Sequence, residues 1–290
     1  MSVPSELQIA LTGSRGVLGR SLQKDWAEPN WHCFPGDVRN LQDVQNWIAQ
    51  PPRLDAVIHM AARVPVALVD ADPLTAFKIN VEGTLNVLEA IRARPDAESI
   101  WIFLGSTSHV YSSSNQPIAE TDAISPVTLY GLTKFHAEEW GRVYQNKFKL
   151  NVCVGRIFSY SSPLQSKEYF IPSVVEKISS APEGGALQIP GLFGTRDFLT
   201  TDQISHAVRF LFSLRATGAF NIASGKAHTL FDIAKAVQRH LKRDDVQIEA
   251  LAAGTSHLNA NVQKLRDLGL QLQFNLDGLI SQILEGRSRD

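Results

Sequence analysis

Leu7-Gln-Ile-Ala-Leu-Thr12 runs without a break into Gly13-Ser14-Arg15-Gly16-Val17-Leu18-Gly19, and that turn runs into the helical stretch Arg20 to Trp26. The first six residues read as a strand. The glycines follow G-x-x-G-x-x-G rather than the commoner G-x-G-x-x-G, but the physical use is the same. They allow a tight turn, backbone close enough to touch a pyrophosphate, and a helix N-terminus aimed at it. The same glycines would also serve a purely structural strand–helix turn. Their position between a first strand and a first helix favours the dinucleotide reading.

Further along, strands and helices alternate. Trp31–Phe34 reads as the second strand, followed by Pro35-Gly36-Asp37-Val38-Arg39 and a helix over Leu41–Ala49. Leu54–His59 is a buried strand ending in Met60-Ala61-Ala62, where small residues let a cofactor lie against the backbone. His59 reads equally as a packed strand end or a ligand contact. Between Pro73 and Arg92 the apolar positions Phe77, Val81, Leu85, Leu88 and Ile91 recur with helical period. Asn80 lies on that helix, a polar residue suited to bracing the strand ends. Ile100–Leu104 and Val152–Phe158 are further strands. This alternation implies a mostly parallel, doubly wound α/β sheet of Rossmann type with helices on both faces.

An acid usually ends the second strand of a dinucleotide fold and binds the adenosine ribose hydroxyls. Here Pro35 or Gly36 occupies that place, and Arg15 in the glycine turn is the charge best placed to meet a 2′-phosphate. NADP is therefore expected over NAD, with NAD open. The candidate cofactor-binding residues are Gly13, Arg15, Gly16, Val17, Gly19, Asp37, Val38, Ala61, Ala62, Asn80, Tyr130 and Lys134.

The strand Ile100–Leu104 ends at Gly105, and the hydroxyls of Ser106, Thr107 and Ser108 stand just past its carboxyl end, where open parallel sheets bind ligands. A helix is expected from about Leu129 to Tyr144. Tyr130 and Lys134, four apart, share one of its faces. A phenol has a pKa near 10, and a neighbouring ammonium favours its ionised form. With Thr107 holding the same substrate oxygen, the three residues suit interconversion of an alcohol and a carbonyl opposite a hydride carrier. Tyr-x-x-x-Lys alone also fits a bland reading, a helix-end aromatic and a solvated lysine.

The 290 residues carry 44% hydrophobic and 20% charged side chains and a formal net charge of −1, without a basic block. Nothing there points to nucleic acid or an anionic membrane. No run reaches the ~18 apolar residues of a membrane span, and Met1-Ser-Val-Pro-Ser-Glu6 lacks the regions of a signal peptide. Two cysteines, Cys33 and Cys153, sit in expected strands, and the eight histidines show no metal-ligand spacing. A cytoplasmic protein without a metal site is expected.

After Arg156 the pattern loosens into Ser-, Pro- and Gly-rich stretches over Ser159–Ser173 and Ser179–Gly194, with a short helical piece at Val174–Ile178. The expected organisation is a dinucleotide-binding domain over 1–158 and a smaller C-terminal α/β substrate-binding lobe over 159–290. Arg196 is a natural clamp for a diphosphate, although Arg196 and Asp197 also suit a structural ion pair. Ala219–Ile222 reads as a strand, and Thr229–Leu241, Val262–Leu268 and Asp277–Leu284 as helical.

Thr12-Gly-x-x-Gly-x-x-Gly19, His59-Met-Ala-Ala62, Asn80-Val-Glu-Gly-Thr84, Ser106-Thr107 ahead of Val110-Tyr111, Tyr130-x-x-x-Lys134, Arg196-Asp197-Phe198 and Phe220-Asn221-Ile-Ala-Ser-Gly225 together resemble the extended short-chain dehydrogenase/reductase family, in its sugar-nucleotide branch. The resemblance implies Tyr130 as acid/base, Lys134 as its partner that also binds the nicotinamide ribose, and Thr107 as the hydroxyl residue. The 4,6-dehydratases of that family carry an acid right after the threonine, where this chain has Ser108 and His109. The epimerase-reductases that make fucose place a cysteine at Ser108. Ser159 replaces the asparagine of the family's substrate motif. Ser108, His109, Ser159 and Arg196 are the candidate substrate-binding residues. The pattern is similar to the 4-keto-6-deoxy-sugar reductases, which implies NADPH reduction of a nucleotide-linked 4-keto sugar. The alternatives are an NAD-dependent sugar-nucleotide 4-epimerase and, less favoured with all three residues present, a non-catalytic redox-sensing regulator. Family members often dimerise through helices flanking the active site, which leaves a homodimer as an open expectation.

Overall fold

The computed structural model describes residues 6–251 and 254–287, so the opening segment read for a signal peptide lies largely outside the described residues. The chain forms two compact units. One comprises 1–112, 123–157 and 204–220, and the other 113–122, 158–203 and 221–290.

The first unit is built on β1 (Gln8–Thr12), β2 (Asn30–Cys33), β3 (Ala56–His59), β4 (Trp101–Thr107), β5 (Asn151–Ile157) and the strand Gly218–Ile222. The sheet order is β2-β1-β3-β4-β5 followed by Gly218–Ile222. The pairs β1/β2, β1/β3, β3/β4 and β4/β5 are all parallel. Thr12 is level with His59, and His59 with Leu104, so β1 and β3 end at the same height while β4 runs on past them to Thr107. The order reverses between β1 and β3, and such a switch point is where an open α/β sheet takes its ligand.

The sheet is covered on both faces, which is why its strands read as unbroken apolar runs. Ile102 and Leu104 of β4 join Val57, Leu88, Ile91 and Val152 in one core. Trp101 and Phe103, alternating with them, stack at 5.8 Å on the other face. There Trp101 meets Phe212 edge-on at 5.5 Å, and its indole N–H donates to the Ala216 carbonyl at 2.8 Å. The helices that matter for the site are α1 (Val17–Asp25), α2 (Leu41–Ala49), α3 (Val66–Ala71), α4 (Pro73–Phe77), α5 (Gly83–Arg92) and α6 (Leu129–Phe148). The single helix expected over 73–92 is instead α4, a π-helical turn at Lys78–Glu82, and α5. α6 runs one turn beyond Tyr144 and stops where Lys149 turns left-handed at φ 60°.

In the second unit, Thr195–Thr200 is the middle strand. It pairs antiparallel with Ala227–Thr229 and parallel with His257–Leu258 and Ser159–Ser161. Gln247–Leu251 pairs parallel with Ala186–Pro190. Helices Phe170–Ser180, Leu230–His240 and Leu276–Arg287 pack around Val174, Ile178, Phe198, Ile233, Val237 and Ile280. Several of these short strands fall in stretches that read as loops, because two- to six-residue strands carry too little alternation to register.

A single boundary after residue 158 is too simple. Residues 204–220 return to the first unit because Phe212 and Ala216 cover the aromatic face of its sheet. Residues 113–122 join the second because Ile118 pairs with Ala260, and the Asn221 amide donates to the Ile118 carbonyl at 2.8 Å.

Candidate active site

The glycine turn has the close approaches expected of a dinucleotide cradle. Gly13 sits at φ 71°, and a Cβ there would lie 2.7 Å from the Ala61 nitrogen. A Cβ on Gly19 would lie 2.2 Å from the Gly13 carbonyl oxygen. Glycine at these positions lets the turn fold onto the end of β3 and onto α1. α1 begins at Val17 with no side-chain cap and no acid in its first turn. Its first N–H groups and its positive dipole end therefore remain available to an anion. Gln23 secures the turn from beneath by donating to the carbonyls of Ser14 and Gly19, both at 2.9 Å.

Arg15 is exposed on this turn, and β2 ends at Cys33 followed by Phe34, Pro35 and Gly36, with no carboxylate. Asp37 is exposed and paired with Arg39, whose guanidinium holds its carboxyl below the usual range. Val38 is a core residue: it fills the space a Cβ on Gly83 would need, at 2.6 Å, while its carbonyl accepts the Asn86 amide at 2.9 Å. Ala61 and Ala62 are half-buried past the end of β3.

Asn80 lies in the π-helical turn and is fully buried. Such turns within helices are frequent at functional sites. Its Oδ1 accepts the Arg63 N–H at 2.7 Å, and its Nδ2 donates to Thr133 Oγ1 at 2.9 Å. Thr133 in turn donates to the Tyr130 carbonyl at 2.8 Å. Asn80 thus ties the Arg63 segment past β3 to the helix that carries Tyr130, rather than the strand ends themselves.

Thr107 closes β4 with its hydroxyl oxygen accepting the His109 N–H at 3.2 Å, and Ser108 is buried beside it. The loop then lies against the start of α6. A Cβ on Gly131 would fall 2.0 Å from the His109 carbonyl oxygen, so only glycine next to Tyr130 permits this contact. The His109 and Tyr130 rings meet edge-to-face with centroids 5.8 Å apart. Thr128 caps α6 by accepting the Gly131 N–H at 3.0 Å, which leaves Tyr130 in the first turn, at the positive end of the helix dipole.

Lys134, one turn on, is only 4% exposed. Burial lowers its pKa to about 8, against the raising influence of the Glu138 charge. It stays a cation at neutral pH on the same helix face as Tyr130. Among the described residues its ammonium has no hydrogen bond or ion pair, an arrangement that costs energy unless a ligand completes it. A buried, unpartnered cation and a glycine cradle at the switch point fit an NAD(P) dinucleotide, whose nicotinamide would supply or take the hydride.

One element escaped sequence reasoning. Arg156 of β5 donates to Glu138 Oε2 from Nε and Nη2 at 3.1 and 2.8 Å and to the Tyr111 hydroxyl at 2.7 Å, while Ser106 Oγ donates to Glu138 Oε1. The only available signal was Glu138 falling four residues after Lys134. The carboxylate whose charge acts on Lys134 is thus engaged by Arg156 and Ser106.

Ser159 and Arg196 lie in the second unit. Ser159 opens a strand facing Phe198 in register. Arg196 donates to the carbonyls of Thr195 and Ser256 at 2.9 and 2.6 Å and to Ser256 Oγ at 2.6 Å, leaving two of its five N–H donors. The alternative Arg196–Asp197 ion pair does not form. Asp197 is on the opposite strand face, accepting from Ser224 N–H and Oγ at 2.9 and 2.6 Å and from Gly225 N–H at 2.7 Å. Among the described residues no three His, Cys, Asp or Glu side chains are placed to hold a metal ion, and no helix is long and apolar enough to cross a membrane.

The model of the family described as GDP-mannose 4,6 dehydratase matches residues 13–271. GDP-6-deoxy-D-mannose reductase of Pseudomonas aeruginosa is 28% identical over 244 residues, covering 78% of this chain and 77% of that protein. A putative UDP-glucose 4-epimerase of Methanocaldococcus jannaschii is 28% identical over 256 residues, 78% and 81% of the two chains. Among solved structures, RMD from Pseudomonas aeruginosa complexed with NADPH superimposes with a TM-score of 0.86 at 23% identity, covering 98% of this chain and all of that one. The dTDP-glucose 4,6-dehydratase DesIV from Streptomyces venezuelae, with NAD and TYD bound, gives 0.83 at 21%, covering 98% of each chain. With the glycine turn, the switch point and the Thr107, Tyr130 and Lys134 positions in that framework, the chain belongs to the GDP-mannose 4,6-dehydratase family, in the sugar-nucleotide branch of the extended short-chain dehydrogenases/reductases.

Proposed function

We propose that this NAD(P)-dependent oxidoreductase reduces the carbonyl of a nucleotide-linked 4-keto-6-deoxy sugar, with NADPH as the preferred reductant. The observation that carries the reading is the complete Thr107, Tyr130 and Lys134 set followed by Ser108 and His109, where a dehydratase needs an acid. Eliminating water requires a group that removes a proton from carbon. The buried carboxylate near this set, Glu138, is tied to Arg156 and Ser106. Ketone reduction needs only a proton donor, and Tyr130 at the positive end of α6 beside a lysine cation fills that role. Thr107 holds the substrate oxygen in line with the phenol, Lys134 orients the nicotinamide ribose, and the turn at Gly13, Gly16, Val17 and Gly19 holds the pyrophosphate. Exposed Arg15 and the missing carboxylate after β2 support NADPH over NADH. Asp37, with Ala61 and Ala62, is assigned to the adenosine side and the backbone rest of the same cofactor. Ser108 and His109 are assigned to the sugar, and Ser159 and Arg196 are retained as candidates for its nucleotide.

The relative named as a reductase supports this reading, and the relative named as a putative epimerase supports its competitor. An epimerase returns the hydride to the same substrate and profits from never releasing its cofactor, whereas a reductase must exchange it each cycle. The purified protein should therefore hold little nucleotide and oxidise NADPH one-for-one with a supplied nucleotide-linked 4-keto-6-deoxy sugar. Full occupancy by NAD, with hexose interconversion and no net cofactor use, would establish the epimerase instead. A second copy of the chain is also proposed, on the exposed apolar stripe Leu129, Leu132, Trp140 and Val143 along α6. Light scattering at twice the 32.0 kDa chain mass is the expected result.

A further inference from the structure

His59 is one of the most deeply buried polar residues, 1% exposed at the end of β3, and no role in the proposed reaction has been given to it. Both ring nitrogens are engaged: Nδ1 lies 2.7 Å from Thr12 Oγ1, and Nε2 lies 3.0 Å from Thr84 Oγ1. The surrounding bonds decide which way each proton points. Thr12 Oγ1 already accepts two backbone N–H groups, from Met60 and Ala61, both at 3.2 Å. Its own proton is thus free to donate to His59 Nδ1. Thr84 donates its proton to the Asn80 carbonyl at 2.7 Å, so toward His59 it can only accept. The ring is thereby set as the neutral Nε2–H tautomer. Burial, followed by the Lys134 charge, drives its pKa down to about 3, which agrees with that state.

From Thr84 the sequence of bonds continues. Asn80 Nδ2 donates to Thr133 Oγ1 at 2.9 Å, and Thr133 donates to the Tyr130 carbonyl at 2.8 Å. Every hydroxyl on the way spends its single proton on the next member, so the direction has no alternative. One end is the Thr12-Gly13 turn that cradles the cofactor, and the other is the first turn of α6.

We infer that His59 and Thr84 are positioning residues, which hold the cofactor turn and the Tyr130 backbone in a fixed mutual register through Asn80 and Thr133. Neither touches the reacting atoms. The inference rests on the assignment of Tyr130 as the proton donor, and the experiment separates the two. A misplacement of about 1 Å far from the chemistry can cost on the order of 10²-fold, so loss of one internal member should be visible in turnover. Thr84→Val keeps the volume but removes both the acceptor for His59 and the donor to Asn80. It should lower kcat about tenfold and raise the NADPH KM several-fold, roughly one hydrogen bond's worth at each end. Thr84→Ser, which restores the hydroxyl, should recover most of both. Independently of turnover, imidazole ¹⁵N shifts of the cofactor-free protein at neutral pH should show His59 with an unprotonated Nδ1 and a protonated Nε2.

Thr84→Val with kcat and KM within twofold of wild type would overturn the inference, as would an Nδ1–H or doubly protonated His59. Equal losses in Thr84→Val and Thr84→Ser would overturn it too, because packing and not the hydroxyl would then be responsible. If Tyr130→Phe keeps full turnover while Thr84→Ser rescues Thr84→Val, the assignment of Tyr130 fails and the positioning role of His59 and Thr84 stands apart from it.

Discussion

The proposed role of Tyr130 as proton donor rests on two features, its place in the first turn of α6 and the buried cation of Lys134 one turn on along the same helix face. A general acid of this kind contributes roughly 10²–10⁴ in rate. Tyr130→Phe should lose about that much turnover in a steady-state assay while its thermal midpoint and NADPH affinity stay near wild type; ordinary turnover would remove Tyr130 from the reaction. Arg15 makes a narrower claim. Exposed on the glycine turn, it has one charge to offer, and a charge-assisted hydrogen bond is worth roughly 1.5–3 kcal/mol. Arg15→Ala should weaken NADPH binding about tenfold or more by calorimetry and leave NADH nearly untouched. Wild-type protein that binds the two equally would show that Arg15 does not read the phosphate.

At the scale of elements, the site is made by close backbone approaches that each need a glycine. The loop after β4 reaches α6 because Gly131 has no side chain, the missing Cβ standing 2.0 Å from the His109 carbonyl oxygen. Gly131→Ala must push that loop or the first turn of α6 aside. Since Tyr130 is the preceding residue and Thr107 holds the loop by its hydroxyl, kcat should fall by roughly 10²-fold or more, and stability by about 1–3 kcal/mol. A Gly131→Ala protein with wild-type kcat would mean the loop and helix need not touch. Arg156 of β5 acts on the same region through Glu138 of α6. They form a buried pair whose rupture leaves one uncompensated charge. Arg156→Met should cost about 3–5 kcal/mol in urea unfolding, with Arg156→Lys recovering only part, because an ammonium cannot reproduce the forked contact.

Across the whole molecule, two buried groups, one in each unit, respond to acid in opposite directions. His59 in the first unit is held neutral, its pKa down near 3. Below about 6.5 the unfolded chain takes a proton that the folded chain refuses, so stability falls as pH drops from 6.5 toward 3. Asp197 in the second unit has its pKa raised to about 6 by burial, which outweighs the hydrogen bonds from Ser224 and Gly225. Between about 6 and 3.8 the folded chain holds the extra proton, and the cost of burying this carboxylate is relieved as pH falls. At pH 5 the first effect amounts to about 2 kcal/mol of loss and the second to about 1 kcal/mol of gain. Hydrogen exchange compared at pH 7 and pH 5, corrected for intrinsic rates, should show protection falling in the strands of the first unit and holding in Thr195–Thr200. Equal loss in both units would contradict this balance.

The amino-acid order by itself determined the α/β alternation, the glycine turn between β1 and α1, and the placing of Tyr130 and Lys134 on one helix face. Each depends on neighbours within a few residues: an apolar run, a glycine spacing, a four-residue helical repeat. The same local reach made Asn80 legible as a brace but pointed it at the strand ends, whereas its partners are Arg63 and Thr133. Tertiary structure alone decided that Thr12, His59, Thr84, Asn80 and Thr133 form one directed set of hydrogen bonds, because its members come from β1, β3, the π-helical turn, α5 and α6. It also decided that Arg196 and Asp197 turn away from each other, that Glu138 is occupied by Arg156, and that residues 204–220 return to the first unit. Those outcomes depend on which strand ends come level and which buried polar atoms must find partners. Such demands are set by residues distant in sequence, and no local pattern carries them.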